Sequence, residues 1–253
     1  MKLPNSLRAL QHRNFRLFIV GQGTSQIGNW VQLIATSWLV YRLSESTLML
    51  GLSAFCLQIP MLVITPFAGV LIDRLDVRRL LFATNSLAML QSLVMLALMV
   101  SGQIEAWHVI AGNLVLGLGN AFDAPARQAL ISKLLPNRQE LTNAIALNST
   151  VMNGARFIGP MLGGLVTASF GEVWSFAVNC VMRLAVLFAL NATQMAQHMV
   201  PKSQAGILRQ LMAGLEYAYG FFPSRCALVL LAFSSFCLQS YASLMPWLSL
   251  IHI

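Results

Sequence analysis

Seven apolar stretches, each about as long as a bilayer crossing, alternate with short polar clusters along the chain. They lie near Phe15 to Val40, Leu48 to Ile72, Leu80 to Val100, Trp107 to Ala124, Thr142 to Ala168, Val173 to Gln194 and Cys226 to Leu250. A helix needs about 20 residues to cross the hydrocarbon core and satisfies all its backbone polar groups internally, so each run predicts a membrane-spanning helix. Within the first run Gln22, Ser25, Gln26, Asn29, Gln32 and Thr36 recur at i, i+3, i+4 and i+7. Such a stripe lines either a water-filled cavity or a helix-to-helix hydrogen-bonded seam.

Composition removes the alternative classes. The 253 residues are 57% hydrophobic and 9% charged, and their mean hydropathy is +0.69, outside the range of soluble domains. A net charge of +8 raises the question of nucleic acid, yet the 16 Lys and Arg fall in small groups between apolar runs, with no basic face and no interleaved aromatics. Their distribution has a different meaning. Lys2, Arg8, Arg13 and Arg16 precede the first span; Arg74, Arg78 and Arg79 occupy the second loop; Arg127, Lys133 and Arg138 the fourth; and Lys202, Arg209 and Arg225 the sixth. The other side has Arg42 with Glu45, Glu105 and Glu172, and Trp38, Tyr41, Trp107 and Trp174 as an aromatic belt. By the positive-inside rule the N-terminus is cytoplasmic and the protein is a multi-pass protein of the cell (inner) membrane. The first run is too long for the apolar core of a cleavable signal and contains Gln22, Gln26 and Asn29.

"GVLIDRLDVRRLL", residues 69 to 81, concentrates five charges between the second and third spans. Gly69, Leu71, Asp73, Arg74, Arg78 and Leu81 resemble the G-x-L-A-D-R-x-G-R-K-x-x-L signature of the major facilitator superfamily. Ile72, Asp76 and Val77 depart from it, standing for a small residue, a Gly and a basic residue. The resemblance implies that Gly69, Asp73, Arg74 and Arg78, together with Asp123 at the end of the fourth span, act as a cytoplasmic latch between two lobes. "ARFIGPMLGG", Ala155 to Gly164, is similar to that superfamily's antiporter signature through Gly159, Pro160, Gly163 and Gly164. Physically, Gly163 and Gly164 permit close approach of a neighbouring helix, and Pro160 bends the span. "FDAPARQAL" and "NAIALNS" further resemble the exporter branch that contains enterobactin and macrolide exporters.

A complete transporter of this kind has two lobes of six helices, each made of two inverted three-helix repeats. The resemblance therefore implies an all-α membrane fold with a six-helix lobe over residues 1–195 and a cytoplasmic linker over 196–224. Ile207, Leu208, Leu211, Leu215 and Tyr219 give the linker an amphipathic helix. Residues 225–253 then form the first helix of a truncated second lobe, whose remainder is a missing partner. Five further spans encoded beyond codon 253 are expected on this reading.

Polar groups inside spans are costly and informative. Arg156 and Arg183 sit near the middles of the fifth and sixth spans, with no Asp or Glu expected at their depth. Each is either satisfied by backbone carbonyls or part of an anion site. Asn179 lies four residues before Arg183, and Asn148 and Met152 share a face with Arg156. Gln22, Gln26, Asn29, Arg156, Asn179 and Arg183 are thus the cavity candidates. Pro125 should end the fourth span, leaving Asp123 to pair with Arg78 or Arg74. "NRQE", Asn137 to Glu140, has the form of a helix start. Cys56, Cys180, Cys226 and Cys237 are widely spaced and read as small core residues, and the four His lie at edges, so no metal or other cofactor is expected. No nucleophile, metal or acid/base set converges, so the chain does not read as an enzyme. The function expected is secondary transport, specifically export of a small amphiphilic anionic or neutral molecule by alternating access. The alternative is a membrane scaffold or inactive half-transporter. Protons are a candidate coupling ion, although Asn113 stands where many proton-coupled members of the superfamily have Arg. The topology is testable: with native Cys removed, cysteines at positions 105 and 137 should react with an impermeant thiol reagent from opposite sides of the membrane. Labelling of both from one side overturns it.

Overall fold

The computed structural model describes residues 5–72, 74–135 and 138–193, with 212, 216, 220–227, 229–230 and 233–234 beyond them. It divides into two compact units, Met1–Ser203 and Gln204–Ile253. In the second unit the described residues are helical around 222–227, while the amphipathic linker helix and most of the seventh span lie outside the described residues.

The first unit begins with a 3-10 turn, Asn5–Gln11, and continues through α1 (Arg13–Ser44), α2 (Thr47–Ile72), α3 (Val77–Val100), α4 (Ala106–Leu134), α5 (Arg138–Phe170) and α6 (Glu172–Ala192). Even α6, with 21 residues, extends about 32 Å at 1.5 Å per residue, enough to cross a bilayer. By apolarity alone the spans Thr47–Gly69, Val77–Val100 and Glu172–Ala192 qualify. The others are diluted by the polar, glycine-rich faces they turn towards one another.

Helix packing follows an internal symmetry. α1 packs on α5 and α6, α4 packs on α2 and α3, α3 meets α6, and α1 touches α4. Exchanging the first three helices for the last three returns each of these pairs, while the α5–α6 contact has no α2–α3 counterpart of like extent. Because three helices reverse the direction of travel, α4 runs opposite to α1, so the repeats are inverted.

Two apolar clusters close the ends of the bundle. One gathers Phe15, Phe18, Ile72, Val77, Leu81, Leu130, Ile131 and Leu190 at the end carrying the 73–76 loop. The other gathers Ala35, Leu39, Val40, Met95, Val109 and Phe176 at the opposite end. Turns at that second end are tight. Each contains one left-handed residue, Glu45 (φ 48°), Gly102 (φ 72°) or Gly171 (φ 87°). Across it Arg42 pairs with Glu172 at 2.9 Å, and Trp38, Trp107 and Trp174 are each more than half exposed there.

The fourth helix corrects the sequence expectation that it stops at Pro125. It runs on to Leu134 with Pro125 inside it. The extension carries Ala126, Leu130 and Ile131 into the first apolar cluster, and their burial outweighs the one hydrogen bond that Pro removes.

Glycines set the α1–α5 contact. A Cβ at Gly159 would collide with Trp30 Cβ, and one at Gly163 would come within 3.0 Å of Val31 Cα. Gly164, expected to serve the same contact, instead faces open space, with nothing within 4 Å of a built Cβ. It lies about 100° further round the helix than Gly163. Gly159→Ala and Gly163→Ala should therefore each lower stability by about 1–3 kcal/mol, whereas Gly164→Ala should change it little. Denaturant unfolding of the purified protein in detergent checks this.

Candidate functional site

Between the two apolar clusters lies a layer of amides, hydroxyls and charges. The first-helix stripe divides in two. Gln22, Ser25, Gln32 and Thr36 are buried, whereas Gln26 and Asn29 are partly exposed. Within the buried half Gln32 serves helix association, whereas Gln22 Oε1 and Ser25 Oγ have no hydrogen-bond partner among the described residues. Gln32 donates to Gln91 Oε1 (3.1 Å) and accepts from Ser92 Oγ (2.6 Å) and from Asn179 Nδ2, stitching α1 to α3 and α6. Asn179 reaches Gln32 because position 28 is Gly: a Cβ there would come within 2.7 Å of Asn179 Oδ1.

One turn further along α6, Arg183 is only 4% exposed. Among the described residues it makes no hydrogen bond to a backbone carbonyl, and its Nε is buried without a partner. Its guanidinium donates to Asn29 Oδ1 (2.5 Å) and to Asn85 Oδ1 (3.4 Å), joining α6 to α1 and α3. Asn85 in turn donates to Asp123 Oδ1 at 2.9 Å, and Asp123 Oδ2 lies 3.8 Å from Arg127. The expectation that no acid reaches the depth of Arg183 is thereby corrected. Since α4 continues past Pro125, Asp123 lies inside the helix, one amide away from Arg183. Arg127 reaches on to Met152 Sδ of α5 at 3.3 Å. Asn85, Gln91 and Ser92 are residues that sequence reasoning missed. The polar runs Thr84-Asn85-Ser86 and Gln91-Ser92 inside the third span were the available signal.

Arg156 behaves oppositely to Arg183. It is exposed, makes no ion pair among the described residues, and stands over the Trp30 ring with its guanidinium carbon 5.8 Å from the centroid. Asn148 is buried with Oδ1 unpartnered, as is Gln22 Oε1. Gly159, Pro160 and Gly163 hold the α5 backbone against α1 beneath this face, and Asn113 joins α4 to α2 through Ser53 Oγ at 2.7 Å.

At the loop end, Asp73 lies outside the described residues. Gly69 is exposed with nothing near it, and Arg74 follows in a turn, its N–H donating to Leu71 O (3.0 Å). Arg78 does not pair with Asp123, contrary to expectation. It donates through Nε to Leu190 O (2.6 Å) and through NH2 to Asn191 O (2.8 Å), neutralising the carbonyl end of α6. All three departures from the loop signature have a local cause. Ile72 and Val77 are buried in the first apolar cluster, and Asp76 caps α3 by accepting from the N–H groups of Arg78 (3.0 Å) and Arg79 (3.3 Å). Asn137 of the N-x-x-E start is outside the described residues, while Glu140 pairs with His12 at 3.0 Å.

Symmetric six-helix packing, a polar mid-layer and a charged loop at the α2–α3 turn together mark a transporter lobe. Residues 5–251 match the family of transmembrane secretion effectors, a branch of the major facilitator superfamily. The chain belongs to that family. It is similar to the staphyloferrin A transporter of Staphylococcus aureus (29% identity, 65% of this chain and 42% of the relative). It also resembles the multidrug efflux pump Tap of Mycolicibacterium fortuitum (25%, 78% and 50%) and macrolide efflux protein A of Streptococcus pyogenes (22%, 68% and 41%). The chain spans about half the length of these curated relatives. Its family is one of membrane transporters.

The contrast between the two arginines is measurable. Arg183→Leu strands the buried Asn85 amide and the partly exposed Asn29 amide and removes a cation linked through Asn85 to Asp123, and should cost about 3–5 kcal/mol of stability. Arg156→Leu, on an exposed face, should change it by about 0.5 kcal/mol or less. Unfolding titrations in detergent read both.

Proposed function

We propose that this chain is the first lobe of a secondary active transporter. It exports a small amphiphilic molecule, anionic or neutral, by rocking against a second lobe across the membrane. Gln26, Asn29 and Arg156 face the cargo, whereas Arg183 and Asn179 hold the lobe together. The loop at Gly69, Asp73, Arg74 and Arg78 lies on the cytoplasmic side and steadies one orientation of the lobes, and protons are the candidate coupling ion. Kinship with proteins named for efflux supports the direction of transport.

The observation that carries the choice of cargo is Arg156. It is an exposed permanent cation without an ion-pair partner among the described residues, set on the flat face of Trp30. At an effective dielectric of about 20 a unit charge 4 Å away feels roughly 4 kcal/mol before screening. Anions are drawn to such a site and lipophilic cations are repelled. In everted membrane vesicles from cells expressing the intact gene, Arg156→Gln should slow transport of an anionic catecholate by about tenfold or more and leave transport of tetraphenylphosphonium unchanged. Undiminished catecholate transport in the variant, or robust cation transport by the parent, overturns the proposal. Vesicles reconstituted with these 253 residues alone should bind the catecholate without translocating it.

A further inference from the structure

Arginine is a hydrogen-bond donor with no acceptor, and this fixes the sense of every amide joined to it. Arg183 NH2 faces Asn29 through 2.5 Å, so the Asn29 atom at that contact is oxygen and its amino group points the other way. That amino group donates to Gln26 Oε1 at 3.3 Å. Gln26 must therefore turn its own amino group outward. Gln26 Nε2 makes no hydrogen bond among the described residues and is not enclosed, in contrast to Gln22, whose Oε1 is buried one turn earlier.

From this we infer that Arg183, acting through Asn29 as a positioning residue, makes Gln26 a specificity-determining hydrogen-bond donor for an anionic oxygen of the cargo. The assignment rests on the transport reading above. Gln26 and Trp30 are four residues apart on α1, about 6 Å of helix rise, so they share one face, and the Arg156 guanidinium lies over the Trp30 ring. A catecholate or carboxylate can place one oxygen near each. The other branch from Arg183 cannot compete for the same role, because Asn85 directs its amino group to Asp123 Oδ1 and Arg127 lies beside Oδ2. The interior thus exports donor character to α1 and spends the remainder on Asp123.

The test uses the purified 253-residue chain in lipid nanodiscs, with 2,3-dihydroxybenzoate and tetraphenylphosphonium as probes in equilibrium dialysis. Gln26→Leu should weaken dihydroxybenzoate binding about tenfold. Asn29→Asp keeps an acceptor for Arg183 but removes the donor that orients Gln26, and should weaken binding about threefold with the unfolding midpoint retained. The double variant should bind no more weakly than Gln26→Leu alone, which is the signature of one residue acting through the other. Losses that add, or parent-like binding by Gln26→Leu, overturn the relay while leaving the transport reading intact. Unfolding caused by Asn29→Asp also overturns it, since Asp keeps the acceptor that Arg183 requires at position 29. A parent chain that binds neither probe, or prefers the cation, overturns the transport reading and the relay with it.

Discussion

A guanidinium shut inside an apolar bundle has no neutral form to retreat to, so the protein around it must supply acceptors or fail to fold. Arg183 is that group here, and much of the mid-layer is arranged to answer it. Asn29 and Asn85 turn their oxygens to it, and Asp123 is drawn into the interior of α4 behind Asn85. The extension of α4 past Pro125 belongs to the same arrangement. Were the helix to end at Pro125, Asp123 would lie in its last turn, near solvent, and the charge of Arg183 would have no acid behind it.

Much of the architecture was legible in the chain because length and periodicity are enough to specify helices in a bilayer. The six spans of the first unit appear where the apolar runs place them, most ends lying within four residues of the expected ones. Only α4 is displaced much further, by ten residues, because propensity says that Pro disrupts a helix while burial of Leu130 and Ile131 decides otherwise. The departures of Ile72, Asp76 and Val77 from the loop signature look like damage in the sequence. In three dimensions they are two core residues and a helix cap.

What the sequence could not separate was the two arginines. Both are cations in the middle of apolar helices, and both have amides at helical spacing. Their fates depend on which way each helix is rotated about its axis, and that is set by contacts distant in sequence. Trp30 against Gly159 and Val31 against Gly163 turn α5 so that Arg156 faces outward. Gly28, by leaving room for Asn179, turns α6 so that Arg183 faces inward. Glycine spacing announces close packing, but it does not say which partner will be met, and Gly164 shows that a neighbouring glycine can meet none.

The mid-layer consequently has two parts with different freedom. Around Gln32 the partners are Gln91, Ser92 and Asn179, and a serine hydroxyl both donates and accepts. Rotation of Ser92 lets its hydroxyl exchange acceptors among Gln32 Oε1, Gln91 Oε1 and Ala88 O. The cluster around Arg183 has no such latitude. Reversing Asn29 or Asn85 would bring an amino group against the guanidinium, donor against donor. On the transport mechanism we propose, a lobe that rocks as a rigid body needs both properties. The fixed cluster holds α1, α3 and α6 in register at the level of Arg183, while the adaptable one absorbs small shifts one turn away.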